Sequence, residues 1–190
     1  MAIPTPRCVL VRHGETEWSL DGRHTGRTDM PLLPEGEIQA RALRPILSGF
    51  TFATVLCSPL IRARETAVQA GLGQAVIEPD LAEWDYGAYE GLTTSKIRQE
   101  RPEWDLFTDG VPGGESAADV ARRVDRVIAR VRMVPGDVAC VAHSHVLRVL
   151  AARWIGLDPS VGRGLVLDPA TYSELGWDRG CPVVRIWNRR

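Results

Sequence analysis

The stretch "DVACVAHSHVLRVLAARWIGL", residues 137–157, changes its period half-way along. The run 137–142 is apolar on both sides of an extended chain, as a strand covered on two faces must be. From His145 onward the pattern is that of a helix reaching Leu157. A strand running straight into a helix is half of a parallel crossover unit, and the chain repeats the arrangement. "CVLV" (8–11), "ATVLC" (53–57) and "AVIEP" (75–79) read as further strands. Helical patterns lie between them. "PEGEIQARALRPILSG" (34–49) places Ile38, Ala42 and Ile46 on one face, with Pro45 as a point where it shortens. "SPLIRARETAVQAG" (58–71) stops at Gly71. "ESAADVARRVDRVIARVRM" (115–133) carries Val120, Val124, Val127 and Val131 at four-three-four spacing, with Ser116 and Asp119 arranged as a capping box. The tail "ATYSELGWDRGCPVVRIWN" (170–188) reads as a hairpin turning at Asp178, Arg179 and Gly180. Strands alternating with helices predict an α/β fold, a three-layer α/β/α sandwich. Its central sheet is expected to be mostly parallel, with an antiparallel edge hairpin. No repeat or linker divides the chain, so residues 1–190 are expected to form one domain.

Composition narrows the function classes. The chain has 190 residues, 44% apolar and 25% charged, which is enough for a sizeable core. The formal net charge of −1 supplies no bulk field toward nucleic acid or an anionic membrane. Arg122, Arg123, Arg126, Arg130 and Arg132 crowd one helix, yet Asp119 and Asp125 dilute them and no aromatic interleaves, so a nucleic-acid surface is not expected. Cys8, Cys57, Cys140 and Cys181 are far apart without a C-x-x-C pair, and the first three sit in apolar runs as reduced core thiols. The opening "MAIPTPRC" lacks the pattern of a secretory leader, and no apolar run is long enough to span a bilayer. A cytoplasmic location is the expectation.

Ligands of open α/β sheets bind beyond the carboxyl ends of the strands, so the residues following each strand carry the functional signal. After "CVLV" come Arg12, His13 and Gly14. After "ATVLC" comes "SPLIRARET", with Ser58, Arg62 and Arg64. After "DVACVA" comes "HSHVLR", with His143, Ser144 and His145. Histidines and arginines delivered to one rim suit a phosphate, because guanidinium forks and helix-start N–H groups bind its oxygens. Adjacent helical positions diverge, and spacing alone does not choose between Arg62 and Arg64.

These blocks, together with "GRHTGRTDMPLLPEG", "LAEWDYGAYEGL" and "GGES", resemble the histidine phosphatase superfamily, the phosphoglycerate-mutase-like proteins. The likeness runs from residue 8 to about residue 150 and is weak over the last forty. "EWDYGAYEGL" is most similar to the branch of sedoheptulose bisphosphatases and broad-specificity acid phosphatases. The resemblance implies that His13 is a nucleophile that becomes phosphorylated. It implies that Arg12, Arg62 and His143 complete a phosphate pocket, the S-x-x-x-R-A register selecting Arg62, and that Glu83 gives a proton to the leaving oxygen. Ser19, Thr25 and Gly26 are expected at the pocket entrance, with Trp84 and Tyr86 flanking the acid, Ser144 beside it and Ser58 in support. The implied partner is a small phosphorylated metabolite, and no cofactor or metal is implied. A cofactor-dependent phosphoglycerate mutase, a phosphate-binding module and a metal-dependent hydrolase using His13, His143 and His145 are the alternatives.

Physical chemistry agrees with those roles. His13 attacks as a neutral imidazole, and nearby guanidinium groups disfavour its protonated form. Glu83 has to keep a proton, which burial and a bound phosphate's charge both favour. Three features stay open. Ser144 stands where relatives carry glycine and would be strained if the position needs positive φ. Ser19 replaces the asparagine usual in mutases. Arg23, His24 and Arg27 either reach a second phosphate or only solvate a loop. Glu115 and Ser116 read as helix-capping residues rather than substrate contacts, and Trp84, Trp104, Trp154 and Trp177 as core or pocket wall. The edge hairpin offers a surface on which a second copy would form a homodimer.

Overall fold

The computed structural model describes residues 6–190, so most of the segment read for a leader pattern, residues 1–5, lies outside the described residues. The chain runs β1 (Cys8–Arg12), α1 (Glu17–Leu20), α2 (Pro34–Ala42), α3 (Arg44–Leu47), β2 (Phe52–Cys57), α4 (Ile61–Gln69) and β3 (Val76–Ile77). It continues through α5 (Thr94–Glu100), α6 (Leu106–Asp109), α7 (Ala117–Met133), β4 (Asp137–Ala142), α8 (Ser144–Trp154), β5 (Tyr172–Asp178) and β6 (Cys181–Arg189). The strands form one sheet in the order β3-β2-β4-β1-β5-β6. The β3–β2, β2–β4 and β4–β1 pairs are parallel, and β5 and β6 are antiparallel. The hairpin turns through Arg179 and Gly180, both at positive φ, as a two-residue turn matched to strand twist requires.

Alternation along the central strands explains the three layers. Cys8 and Leu10 of β1, with Val138, Cys140 and Ala142 of β4, join the core under α7 and α8. Val9, Val11, Ala139 and Val141 join the opposite core under α2, α3 and α4. Both faces are therefore apolar, which is why these runs show no polar alternation. The valine stripe of α7 is buried as its spacing predicts, and its capping box forms between Ser116 and Asp119. The free Sγ atoms of Cys8 and Cys140 lie 3.7 Å apart across β1 and β4 on that face.

The helix expected over 34–49 breaks at Leu43, so Pro45 falls in the first turn of a second short helix instead of distorting the first. Of the face expected to pack, Ile38 and Ala42 are exposed, Ile38 at 55%, and only Ile46 packs on the core, partly buried, while Gly36, Ala40, Leu43 and Leu47 are buried. Close approach decides the orientation. A Cβ on Gly36 would lie 2.2 Å from the Glu15 carbonyl oxygen, and one on Gly14 would lie 2.3 Å from that of Gly36. Two glycines let α2 dock backbone to backbone on the loop after β1, and Ile38 turns outward. The strand expected over 75–79 pairs only at Val76 and Ile77, at the sheet edge.

Candidate active site

Lateral backbone bonds bring three strand ends to one rim. His13 N–H donates to the Ala142 carbonyl at 3.0 Å, and Ser58 N–H donates to that of Val141 at 2.9 Å. His143 ends the last of these segments as the N-cap of α8. A cavity of about 230 Å³ opens above, lined by Arg12, His13, Ser19, Thr25, Glu83, Tyr86 and Ser144 among the residues expected from sequence.

His13 is buried apart from this opening. Its Nδ1–H donates to the Gly14 carbonyl at 2.7 Å, which fixes the tautomer and leaves Nε2 with a lone pair. Burial, then the charges of Arg62 and Arg12, hold its pKa well below the ordinary value of 6.5. Beside it stands Arg12, whose Nε is the single buried side-chain polar atom without a partner among the described residues. One of its Nη groups donates to the Leu167 carbonyl, and burial lowers its pKa to about 10. An orphaned guanidinium donor at a cavity wall suits an anion.

Arg62 and His143 support the site from behind. Both are 0% exposed, behind the residues that line the cavity. Arg62 Nε–H donates to His143 Nδ1 at 3.1 Å, and its Nη groups donate to the carbonyls of Thr25, Gly26 and Thr28. Nδ1 of His143 therefore accepts, and Nε2–H donates to Ser58 Oγ at 2.7 Å. The His143 ring packs 5.1 Å from that of His13, centroid to centroid, and burial keeps it neutral by lowering its pKa. Arg64 faces elsewhere, into a larger cavity of about 620 Å³ between α4 and β3 that no histidine lines.

Glu83 sits on the loop before Trp84, 8% exposed. Its Oε1 accepts from the N–H of Trp84 and Val146, both at 2.9 Å, and Oε2 from that of His145 at 3.1 Å. Two of these donors belong to the first turn of α8, where N–H groups have no helical partner. The sequence reading gave Glu83 only burial and a bound phosphate; the structure adds this fixed cradle. Tyr86 O–H lies 2.6 Å from His145 Nδ1.

Trp84 does not flank the cavity: it is fully buried, its Nε1–H donating to the Glu115 carbonyl and its ring edge-on to Phe107. Gly26 is not at the entrance; its N–H donates to Glu90 and its carbonyl accepts from Arg62. Ser144 carries no strain, because it opens α8 and is not among the positive-φ residues. Ser116 caps α7 as expected, whereas Glu115 does other work: it accepts from Asp85 N–H and binds Arg123 in a two-toothed ion pair at 2.8 and 3.0 Å. Among the described residues no group of three His, Cys, Asp or Glu side chains is placed to hold a metal ion.

Sequence reasoning missed three residues here. Arg148, one turn into α8, lines the cavity beside His145, as does Thr94. Glu90 accepts from the N–H of Gly26 and Thr28 and so shapes the loop whose carbonyls hold Arg62. Only Arg148 left a signal, as the last residue of "HSHVLR".

The description of the histidine phosphatase superfamily (branch 1) matches residues 8–190. The chain belongs to the histidine phosphatase superfamily. The match includes the terminal hairpin, beyond the residue-150 limit of the motif likeness. This histidine phosphatase is 40% identical over 184 residues to an acid phosphatase of Mycobacterium tuberculosis, covering 95% of this chain and 91% of that one. It is 36% identical over 187 residues to sedoheptulose 1,7-bisphosphatase of Saccharomyces cerevisiae, covering 80% and 69%. The solved structure of the Rv3214 open reading frame of Mycobacterium tuberculosis superposes with a TM-score of 0.93 at 38% identity, covering 97% of each chain. That of mycobacterial glucosyl-3-phosphoglycerate phosphatase Rv2419c with VO3 gives 0.84 at 27% identity, covering 97% of this chain and 100% of that one. The chain is thus a phosphatase hydrolase. No helix of the described residues is long and apolar enough to cross a membrane.

Proposed function

We propose that this histidine phosphatase is a metal-independent phosphomonoesterase acting on small phosphate esters, sugar phosphates or bisphosphates among them, through a phosphohistidine on His13. The observation that carries the reading is the locked tautomer of His13: Nδ1–H is tied to Gly14, and Nε2, with no hydrogen-bond partner among the described residues, belongs to a side chain lining the same cavity as Glu83. Nε2 attacks phosphorus and the ester C–O–P linkage breaks at phosphorus. Glu83 gives the leaving oxygen its proton, and water then attacks the phosphohistidine with Glu83 as base. Arg12 meets the charge on the phosphoryl oxygens through fixed donors, a stabilisation that needs no reorganisation at the moment of transfer. Arg62 and His143 act as positioning residues, holding the entrance loop and the His13 ring. The proton on Glu83 arrives with substrate, because a phosphate monoester with a second pKa of about 6 binds partly as the monoanion.

The experiment is hydrolysis of p-nitrophenyl phosphate by the native protein and by His13→Ala, each with and without a chelator. Turnover that ignores the chelator and is lost in the variant supports the reading. Turnover that survives in the variant sinks the nucleophile assignment.

A further inference from the structure

The guanidinium of Arg12 hangs on one acceptor. Among the described residues its sole hydrogen-bond partner is the Leu167 carbonyl, and its Nε has none. Arg62, by contrast, is tied by four bonds. Where Arg12 points therefore depends on how the Leu167 carbonyl is held. Leu167 lies in the connection from α8 to β5, itself buried but flanked by exposed Val166 and Asp168. The same stretch also reaches the backbone of the proposed nucleophile: Ala170 N–H donates to the His13 carbonyl at 3.0 Å, and the Thr171 carbonyl accepts from Arg12 N–H at 3.1 Å.

Two side chains of β6 hold this connection on either side of Leu167. Trp187 Nε1–H donates to the Val166 carbonyl at 2.5 Å. Asn188 closes a ring with Asp168: its Oδ1 accepts from Asp168 N–H at 2.7 Å, and its Nδ2–H donates to Asp168 Oδ2 at 2.9 Å. Adjacent residues of a regular strand face opposite ways, so one loop should not receive both. A bulge removes the conflict. Between the Tyr172–Arg189 and Glu174–Ile186 pairs, β5 advances two residues and β6 three. Asn188 sits in that bulge at φ 55°, a left-handed conformation that asparagine adopts more readily than most residues, and its N–H donates to Ser173 Oγ at 3.0 Å. The bulge thus re-aims two neighbouring side chains at the backbone on which Arg12 rests. Burial lowers the pKa of Arg12 to about 10, opposed by Glu83 and more weakly by Asp168, so the ring also fixes a countercharge near the guanidinium.

We propose that Trp187 and Asn188 are positioning residues for catalysis: they strap the 166–168 stretch so that the Leu167 carbonyl aims the Arg12 guanidinium at the phosphoryl group. Neither side chain lines the cavity, and both act through Arg12. The inference rests on the phosphatase reading and adds a remote element to it.

The test takes two readouts, kcat/KM for p-nitrophenyl phosphate and calorimetric affinity for orthovanadate, which needs no turnover. They are measured for the native protein, Trp187→Phe and Asn188→Gly, and again with each change placed in Arg12→Lys protein. Phenylalanine keeps the ring and drops Nε1–H, whereas glycine keeps the positive φ and drops the amide, so either variant serves if the other folds poorly. Each is expected to lower both quantities about tenfold in the native background, as loss of a well-aimed charged hydrogen bond does. In Arg12→Lys, which has no guanidinium to aim, the loss should shrink to less than about twofold. Arg189→Ala, an exposed side chain on the same strand, is the control. A lowered melting temperature with both quantities unchanged would make the strap structural only and overturn the proposal, as would equal losses in the two backgrounds. A native protein that binds vanadate but leaves p-nitrophenyl phosphate intact would refute the phosphatase reading, and the vanadate affinities would still decide the strap. One that does neither would overturn both.

Discussion

Replacing Arg123 by methionine should loosen Glu83 without touching the cavity. Arg123 lies on α7, 9% exposed, and its guanidinium donates to the carbonyls of Asp80, Ala82 and Glu83 besides pairing with Glu115. It staples the loop that carries the proposed acid to the longest helix. Methionine keeps much of the packing of the stem but removes every donor. Breaking one side of a buried ion pair costs about 3–5 kcal/mol, and the lower end applies because Glu115 keeps its bond from Asp85 N–H and is 24% exposed. Three carbonyls lose a charged donor but can turn partly to water, adding about 1 kcal/mol together. The sum, about 4 kcal/mol, lowers the melting temperature of a 190-residue chain by roughly 10 °C. Misplacing the acid by about 1 Å should also cut kcat on the order of a hundredfold. Calorimetric melting and p-nitrophenyl phosphate turnover measure both, with Arg122→Met as control, since its pair with Asp119 is solvent-exposed. A melt matching the control, with unchanged kcat, would refute the claim that Arg123 holds the acid.

The depressed pKa of His13 keeps its imidazole neutral below pH 6.5, so kcat/KM should not fall as pH is lowered through 6.5, and an acid-side loss with an apparent pKa near 6.5 would contradict it. Burial holds His24 at about 4 against 6.5 for the ordinary side chain. Below pH 6.5 the unfolded chain binds a proton that the folded chain refuses, so stability is full above 6.5 and falls toward pH 4, by roughly 3 kcal/mol from this residue. Denaturant titrations at pH 7 and pH 4 should show that loss reduced in His24→Gln, and an equal loss in both proteins would count against it. Gly14→Ala would press a Cβ against the Gly36 carbonyl, and should cost about 3 kcal/mol or more with most of the activity, read by urea unfolding and turnover.

Much of this was legible in the sequence where one physical constraint acted alone. Strands buried on both faces had to be apolar throughout, which exposed β1 and β4, and the hairpin was marked by Arg179-Gly180. The rim residues Arg12, His13, Ser58 and His143 followed from strand ends, and Glu83 from motif likeness. What stayed hidden depended on partners distant in the chain. Nothing near Ile38 says that Gly14 and Gly36 must touch, so the larger residue was assigned inward. Nothing in "EWDYG" says that Trp84 turns into the core while Tyr86 turns to the cavity. Arg62 reads as a phosphate ligand from its type and position, and nothing in its own segment says that it also ties the carbonyls of Thr25, Gly26 and Thr28. Arg123 read as one more solvated arginine of α7, because the carbonyls it binds lie some forty residues away.

The central claim is a covalent phosphohistidine, and rapid quenching of the native protein with p-nitrophenyl phosphate tests it most directly, followed by mass analysis under alkaline conditions that preserve phosphohistidine. One phosphoryl group on the peptide containing His13, absent from His13→Ala, is the predicted result. Steady turnover with no phosphoryl group on the chain, or with the group on any other residue, would contradict the account.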